Sequence, residues 1–213
     1  MKTPGMGEGA SSRAHPHPGM RLPGHGVIEL RGLVYNHSYP CWGEWAMPIL
    51  NRNALEFVSR SPEQTRSIGA RLGSSCMGGE VIALEGDLGS GKTVLAQGIG
   101  LGWGATTHLT SPTFTFIRRH SRDQDQLYLY HIDLYRIARA VDVASLGLDD
   151  ILGNPQAVCI VEWADRVPGI IPADRLWVKL RWLDDFRRSL TFEAVGERYS
   201  DLSDKLRKGI LGL

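Results

Sequence analysis

The sequence predicts an α/β fold organised around a parallel strand and the loop that follows it. Three observations carry this. Val81–Leu84 is a short apolar run followed by Gly86-Asp87-Leu88-Gly89-Ser90-Gly91-Lys92-Thr93, which fits G-x-x-x-x-G-K-[ST] and opens a helix-competent stretch at Val94. Ala157–Val161 is a second continuous apolar run, of the kind that forms a central parallel strand covered on both faces. Leu176–Leu180 and Leu190–Ala194 read as late strands, paired as a hairpin across Asp184 and Asp185.

Length and composition bound the rest. The 213 residues suit one domain with a tail, long enough to bury a core. With 42% hydrophobic and 22% charged residues, the chain reads as globular and soluble. The formal net charge of +1 argues against a basic nucleic-acid-binding face spread over the whole chain. Cys41, Cys76 and Cys159 are scattered and form no C-x-x-C pair, which argues against a disulfide framework or zinc site and fits a reducing cytosol. No apolar run reaches the length of a membrane span, and the N-terminus has no signal-type apolar core.

Residues 1–53 differ from the body. His15-Pro16-His17-Pro18-Gly19 and Leu22-Pro23-Gly24-His25-Gly26 favour a flexible N-terminal extension, with one short strand at Val27–Val34 and Trp42 and Trp45 free to dock. Its histidines lack metal-ligand spacing. A start of translation at Met47 is an alternative account of this segment.

The body runs from residue 54 to 198. Leu55–Val58 is the first strand. Ser61 caps a helix, with Pro62 at its first position and Gln64 closing a capping box; Ile68 and Leu72 share a face, and Gly78-Gly79 ends the segment. After the loop helix, Gly100–Gly104 breaks the chain. Thr110-Ser111-Pro112-Thr113 leads into a strand at Phe114–Arg118, a hairpin turn at His120–Gln126 and a strand at Leu127–Asp133. Val141–Leu152 reads as a short helix with turns. Tyr199–Lys208 forms an amphipathic helix within the C-terminal segment 199–213.

The chemistry of the glycine-rich loop follows from its residue types. Gly86, Gly89 and Gly91 let the backbone curl so that successive N–H groups face one anion. The next helix adds its positive end. Lys92 is placed to reach the β- and γ-phosphates, and the Thr93 hydroxyl to bind Mg²⁺. Hydrolysis needs a carboxylate for that metal, and the carboxyl ends of apolar strands deliver two, Asp133 and Glu162. Thr110, Ser111 and Thr113 are candidates for sensing the γ-phosphate or its metal.

Four functions fit a nucleotide site. One is a Mg-ATPase that drives a partner. Another is a small-molecule kinase, to which Arg118, Arg119 and Arg136 can contribute, although no lid-sized insertion is evident. A GTPase switch lacks its N-K-x-D, and Asp150-Ile151-Leu152-Gly153 matches D-x-x-G only as a string. The last is a non-catalytic nucleotide-binding scaffold.

The loop Gly86–Thr93, Thr110-Ser111-Pro112-Thr113-Phe114, Tyr130-His131-Ile132-Asp133-Leu134-Tyr135-Arg136, Leu146-Gly147-Leu148-Asp149-Asp150 and Val161-Glu162-Trp163 occur in this order in the TsaE (YjeE) family. The chain resembles that family over Leu55–Val195, about two thirds of its length. The resemblance implies a P-loop NTPase-like three-layer sandwich, a mixed sheet with a parallel core flanked by helices. It implies a bacterial, cytoplasmic ATPase, using ATP and Mg²⁺, that supports formation of threonylcarbamoyladenosine (t6A) at position 37 of tRNA. The implied partners are a TsaB–TsaD heterodimer, in which TsaD transfers the threonylcarbamoyl group. Any contact with tRNA would be indirect or weak. Carried over by position, Gly86, Asp87, Leu88, Gly89, Ser90, Gly91, Lys92 and Thr93 match the phosphate cradle, and Thr93 and Glu162 the metal site. Asp133 matches an acid required for hydrolysis, Trp163 the aromatic beside the site, and the segment around Thr65 the part near adenine. Val94 stands where many relatives carry a second Thr, and the N-terminal extension lies outside the family pattern.

Overall fold

The computed structural model describes residues 54–137, Val143 and 146–211. The expected N-terminal extension, its strand at Val27–Val34, its histidine clusters and the docking of Trp42 and Trp45 lie outside the described residues, as does most of 138–145. One seven-stranded mixed sheet organises the chain, in the order β1-β7-β6-β2-β5-β4-β3. The strands are β1 (Ala54–Ser59), β2 (Val81–Glu85), β3 (Ile117–Ser121), β4 (Tyr128–Asp133), β5 (Ala157–Glu162), β6 (Arg175–Trp182) and β7 (Arg188–Val195). β2 lies parallel to both β5 and β6, and β4 lies parallel to β5. The remaining pairs, β1–β7, β6–β7 and β3–β4, are antiparallel.

The residues of β5 are buried along its whole length, which is why it reads as an unbroken apolar run and not as an alternating one. One sheet face packs Phe57, Ile82, Leu84, Ile160 and Phe192 against the helices α1 (Pro62–Gly73), α2 (Lys92–Trp103) and α4 (Glu197–Leu211). The other packs Val81, Ala83, Cys159 and Val161 against α3 (Leu148–Leu152) and the short turns Ala164–Arg166 and Pro168–Ile170. The result is the three-layer sandwich. The C-terminal helix starts at Glu197 and shares the first of these cores through Tyr199, Leu202 and Leu206. The Tyr199 hydroxyl accepts from the Val81 N–H at 2.8 Å and so pins α4 to the start of β2. Cys76 and Cys159 are free and buried, and burial raises both thiols well above the usual range. No helix among the described residues is long and apolar enough to cross a membrane.

The start of α1 follows the sequence with one change. Ser61 caps it, its hydroxyl accepting from the Gln64 N–H at 3.2 Å. The Gln64 side chain reaches back one residue further than a capping box requires, to the N–H of Arg60 at 2.7 Å.

Two segments depart from expectation. Gly100–Gly104 does not break the helix. α2 runs through Gly98, Gly100 and Gly102 and stops only at Gly104, where φ is +89° and the N–H groups of Gly104 and Ala105 bond Leu101 and Gly100 in a Schellman arrangement. The internal glycines serve a close approach. A Cβ on Gly98 would lie 2.2 Å from the Arg66 carbonyl oxygen, and one on Gly102 1.8 Å from that of Ala70. From the other side, a Cβ on Gly69 would lie 2.5 Å from the Leu95 oxygen and one on Gly73 2.0 Å from that of Ile99. Each helix thus offers a pair of glycines four residues apart, which lets the two backbones touch. The second departure is β3, which begins at Ile117 and not at Phe114. Thr115 and Phe116 both donate to the Pro112 carbonyl, and Phe116 sits at φ +61°, so a tight turn occupies the expected strand start.

Helix propensity alone says Gly98→Ala should stabilise α2 by about 1 kcal/mol. The contact with α1 predicts the opposite sign, a net loss of about 1–3 kcal/mol, because the Arg66 carbonyl is backbone and cannot swing away. Urea unfolding should show a lower midpoint at unchanged slope. Gly169→Ala, where a Cβ meets nothing within 4 Å, should stay within about 0.5 kcal/mol of the parent.

Candidate functional site

The parallel strands end side by side, and the site lies at their carboxyl edge. β2 delivers the loop Gly86–Lys92 there, β4 delivers Asp133 and β5 delivers Glu162. Asp133 and Glu162 are directly opposed in the β4–β5 register. This is the crevice where open parallel sheets bind ligands.

The loop has the shape its glycines allow. Gly86 has φ +146°, and a Cβ there would lie 2.3 Å from the Leu180 carbonyl, so the chain leaves β2 pressed against β6. Gly89 and Gly91 also have positive φ, and open space surrounds Gly89. Ser90 is buried beneath the loop, its Oγ 3.5 Å from Lys92 Nζ.

Lys92 is the first residue of α2 and folds back over the loop. Its ammonium donates to the carbonyls of Gly86 at 2.6 Å and Asp87 at 2.8 Å. It also lies 3.6 Å from the centre of the Trp163 ring. Burial pulls this lysine below its usual range, against the upward pull of Glu162, Asp165, Asp133 and Asp87. Trp163 holds a left-handed backbone, φ +61°, a conformation that costs a non-glycine residue about 1–2 kcal/mol. Its ring is kept in place by Lys92, by Tyr135 at 5.0 Å between centroids and by Arg166 at 5.4 Å.

Both acids are 2% exposed, and every carboxylate oxygen has at least one hydrogen-bond partner. Glu162 Oε2 accepts from the Thr93 hydroxyl at 2.9 Å, and Oε1 is 2.7 Å from His131 Nε2. Asp133 Oδ2 accepts from Ser111 at 2.7 Å and Thr113 at 2.6 Å, and Oδ1 from the Tyr135 N–H at 2.9 Å. The structure therefore joins Ser111 and Thr113 to the site through Asp133. Thr110 turns outward, its hydroxyl accepting from Arg118. A carboxylate offers about four acceptor positions. Two remain on Glu162 and one on Asp133.

One cavity of about 420 Å³ gathers Leu88, Gly89, Gly91, Lys92 and Thr93 with Asp133, Glu162 and Trp163. Gly86 and Asp87 form the outer side of the loop and line a separate cavity with Asp165 and Arg181. Thr65 lies inside α1, buried, and donates its hydroxyl to Ser59 at 2.7 Å. It lines a third cavity of about 260 Å³, next to the first and sharing Gly89, Gly91 and Val94 with it.

Sequence reasoning missed three contributors to this region. His131 is two residues before Asp133, so strand alternation puts both on one face and could have flagged it. Phe186, 77% exposed, and Arg188 reach the 260 Å³ cavity from the β6–β7 hairpin, whose placement beside the loop has no local signal in the sequence.

The donor set suits a magnesium nucleotide. All of the uncommitted positions near Thr93 are hard oxygens, as Mg²⁺ requires. Because the Thr93 hydrogen is given to Glu162, the lone pairs of the Thr93 oxygen are left available to a metal. The curled loop, the helix start and the ammonium together supply the positive lining that a polyphosphate needs.

A family model described as threonylcarbamoyl adenosine biosynthesis protein TsaE matches residues 59–190. The tRNA threonylcarbamoyladenosine biosynthesis protein TsaE of Bacillus subtilis is 38% identical over 154 residues, covering 72% of this chain and 94% of the relative. The protein of the same name from Treponema pallidum is 36% identical over 137 residues, covering 64% of this chain and 98% of its own. Among solved structures, Bacillus subtilis YdiB superposes with a TM-score of 0.60 at 35% identity, covering 73% of this chain and 95% of YdiB. On the strength of the family match over most of the described body, this chain belongs to the TsaE family of threonylcarbamoyladenosine biosynthesis proteins.

Proposed function

We propose that this chain is a Mg²⁺-dependent ATPase, weak alone, whose turnover serves t6A formation on tRNA in the cytoplasm. The observation that carries the reading is one juxtaposition. Thr93 and Lys92, at the start of the loop helix, share a cavity with two buried acids, and one of those acids is already bonded to Thr93. A site that only bound phosphate would gain nothing from burying two carboxylates beside it. A site that must also hold a cation and handle a proton needs both.

Thr93 and Glu162 would hold Mg²⁺, whose contribution is to neutralise charge on the phosphates as it develops. Lys92 would move from the loop carbonyls to the phosphate oxygens. Asp133 keeps one free acceptor position toward the cavity and would orient the attacking water, its carboxylate fixed by Ser111, Thr113 and the Tyr135 N–H. The 260 Å³ cavity beside the loop suits the purine, with Phe186 exposed at its wall and Thr65 at its floor. A TsaB–TsaD-like heterodimer is the proposed partner, and tRNA is reached through it. The near-neutral charge of the chain supports that indirect route.

Four measurements test this. Lys92→Ala should lose measurable ATP binding in calorimetry; affinity equal to the parent would reject the phosphate site. Asp133→Ala and Glu162→Ala should still bind ATP but release phosphate at least about a hundredfold more slowly. Normal turnover in both would remove their role. Assays run with the partner heterodimer, with EDTA, and with candidate hydroxyl acceptors separate the ATPase from a small-molecule kinase. Phe186→Ala should weaken adenine nucleotides by about five- to a hundredfold, the range of one lost base–aromatic stack. It should leave inorganic triphosphate binding unchanged.

A further inference from the structure

Two buried imidazole nitrogens lack a partner among the described residues, Nδ1 of His131 and Nε2 of His120. The residues are 0% and 3% exposed. They lie on adjacent strands and on the same sheet face. His120 is opposite Leu129 and His131 opposite Arg118, so the two rings are diagonal neighbours within side-chain reach. Buried ring nitrogens without partners are uncommon, and two side by side call for one explanation.

The hydrogen positions follow from the outer contacts. Glu162 takes a proton's worth of bonding from Thr93 on Oε2 and lies 2.7 Å from His131 Nε2 through Oε1. An ionised carboxylate only accepts, so His131 Nε2 carries hydrogen. In a neutral ring the Nδ1 of His131 is then an acceptor in need of a donor. His120 Nδ1 is 2.7 Å from the hydroxyl of Thr107, an exposed residue able to donate. With Thr107 as the donor, Nε2 of His120 is the N–H in need of an acceptor. One orphan is a donor and its neighbour an acceptor.

We propose that Thr107, His120 and His131 form a single directed chain of hydrogen bonds, each ring accepting on Nδ1 and donating from Nε2, that fixes the carboxylate of Glu162 against Thr93. The two ring nitrogens are not bonded to each other, so the inner link runs through one buried water that accepts from His120 Nε2–H and donates to His131 Nδ1. His131 is a positioning residue: it touches Glu162 and not the nucleotide. A metal between the rings is disfavoured, since no group of three ligand-type side chains exists among the described residues. Burial, the largest cause, lowers the basicity of His120 and agrees with a neutral ring.

The role assigned to Glu162 rests on the proposed metal site, but the chain of hydrogen bonds does not. Long-range ¹H–¹⁵N spectra of the full chain with labelled histidine should therefore come first. Both rings should show the Nε2–H tautomer. An Nδ1–H tautomer or an imidazolium at His131 overturns the proposal. Calorimetry of ADP with and without Mg²⁺ then reads the positioning role without any turnover. His131→Leu should weaken the Mg²⁺-dependent part of the affinity about ten- to a hundredfold, the usual cost of losing a partner of a metal-holding group. It should leave the Mg²⁺-free affinity as in the parent. His131→Gln, whose amide N–H can stand where Nε2 does, should recover most of the loss. Full Mg²⁺ dependence in the Leu variant overturns the positioning role. If that variant does not fold, the tautomers and the Gln variant still decide. If the parent itself binds ADP with no Mg²⁺ effect, the metal reading fails while the tautomers report on the chain independently.

Discussion

Two carboxylates buried side by side at the end of a parallel sheet are the constraint on which the rest depends. Left without donors, a buried charge costs several kcal/mol. The fold answers with five donors drawn from four segments: Thr93 from the loop helix, His131 from the neighbouring strand position, and Ser111, Thr113 and the Tyr135 N–H around Asp133. The acids therefore organise their surroundings. The Thr110–Phe116 turn is held in place by Asp133, and the first turn of α2 is tied to the sheet by Glu162. Removing either acid is both a chemical and a structural change, which is why binding and turnover must be measured separately.

The helix that carries Lys92 and Thr93 must be located to within a fraction of an ångström for these contacts to exist. Side-chain packing between α1 and α2 would leave the usual 8–10 Å between axes and some slack. Glycines at 69, 73, 98 and 102 bring backbone against backbone, where there are no rotamers to relax. α1 is in turn fixed at its start by the Ser61 cap and by the buried Thr65–Ser59 bond. Stability and site geometry are thus set by the same contact. A substitution far from any phosphate can displace Lys92.

Local signals made much of this legible. The strand, loop and helix at Val81–Val94, the buried run at Ala157–Val161 and the capped start at Ser61 each declare themselves within a dozen residues, because each rests on neighbours in the chain. Asp133 and Glu162 were visible as acids at strand ends, although their being opposite each other is a matter of register. The failures have a common cause. Gly100 and Gly102 looked like breakers because their value is the distance to another helix, which the sequence does not display. Phe114–Arg118 reads as a strand from its β-forming residues, but a turn closed on Pro112 outweighs them and delays β3 to Ile117. Phe186 comes from a hairpin more than ninety residues beyond the loop it adjoins, and only the position of β6 beside β2 brings it there.

The contact between Lys92 and Trp163 shows how binding and strain are linked. The ammonium has two carbonyl partners and an aromatic face, so phosphate oxygens would replace these partners and not merely add to them. The net affinity for a phosphate would then be a difference between two satisfied arrangements, smaller than a count of phosphate contacts alone implies. Trp163 meanwhile holds a costly backbone conformation that Lys92, Tyr135 and Arg166 help to maintain. Taking Lys92 away from the ring removes one of those supports. On the proposed reading, nucleotide entry would be coupled to the conformation of the segment after Glu162 through one side chain. A partner that contacts Trp163, Tyr135 or Arg166 would act on phosphate affinity by the same route, because coupling of this kind is reciprocal.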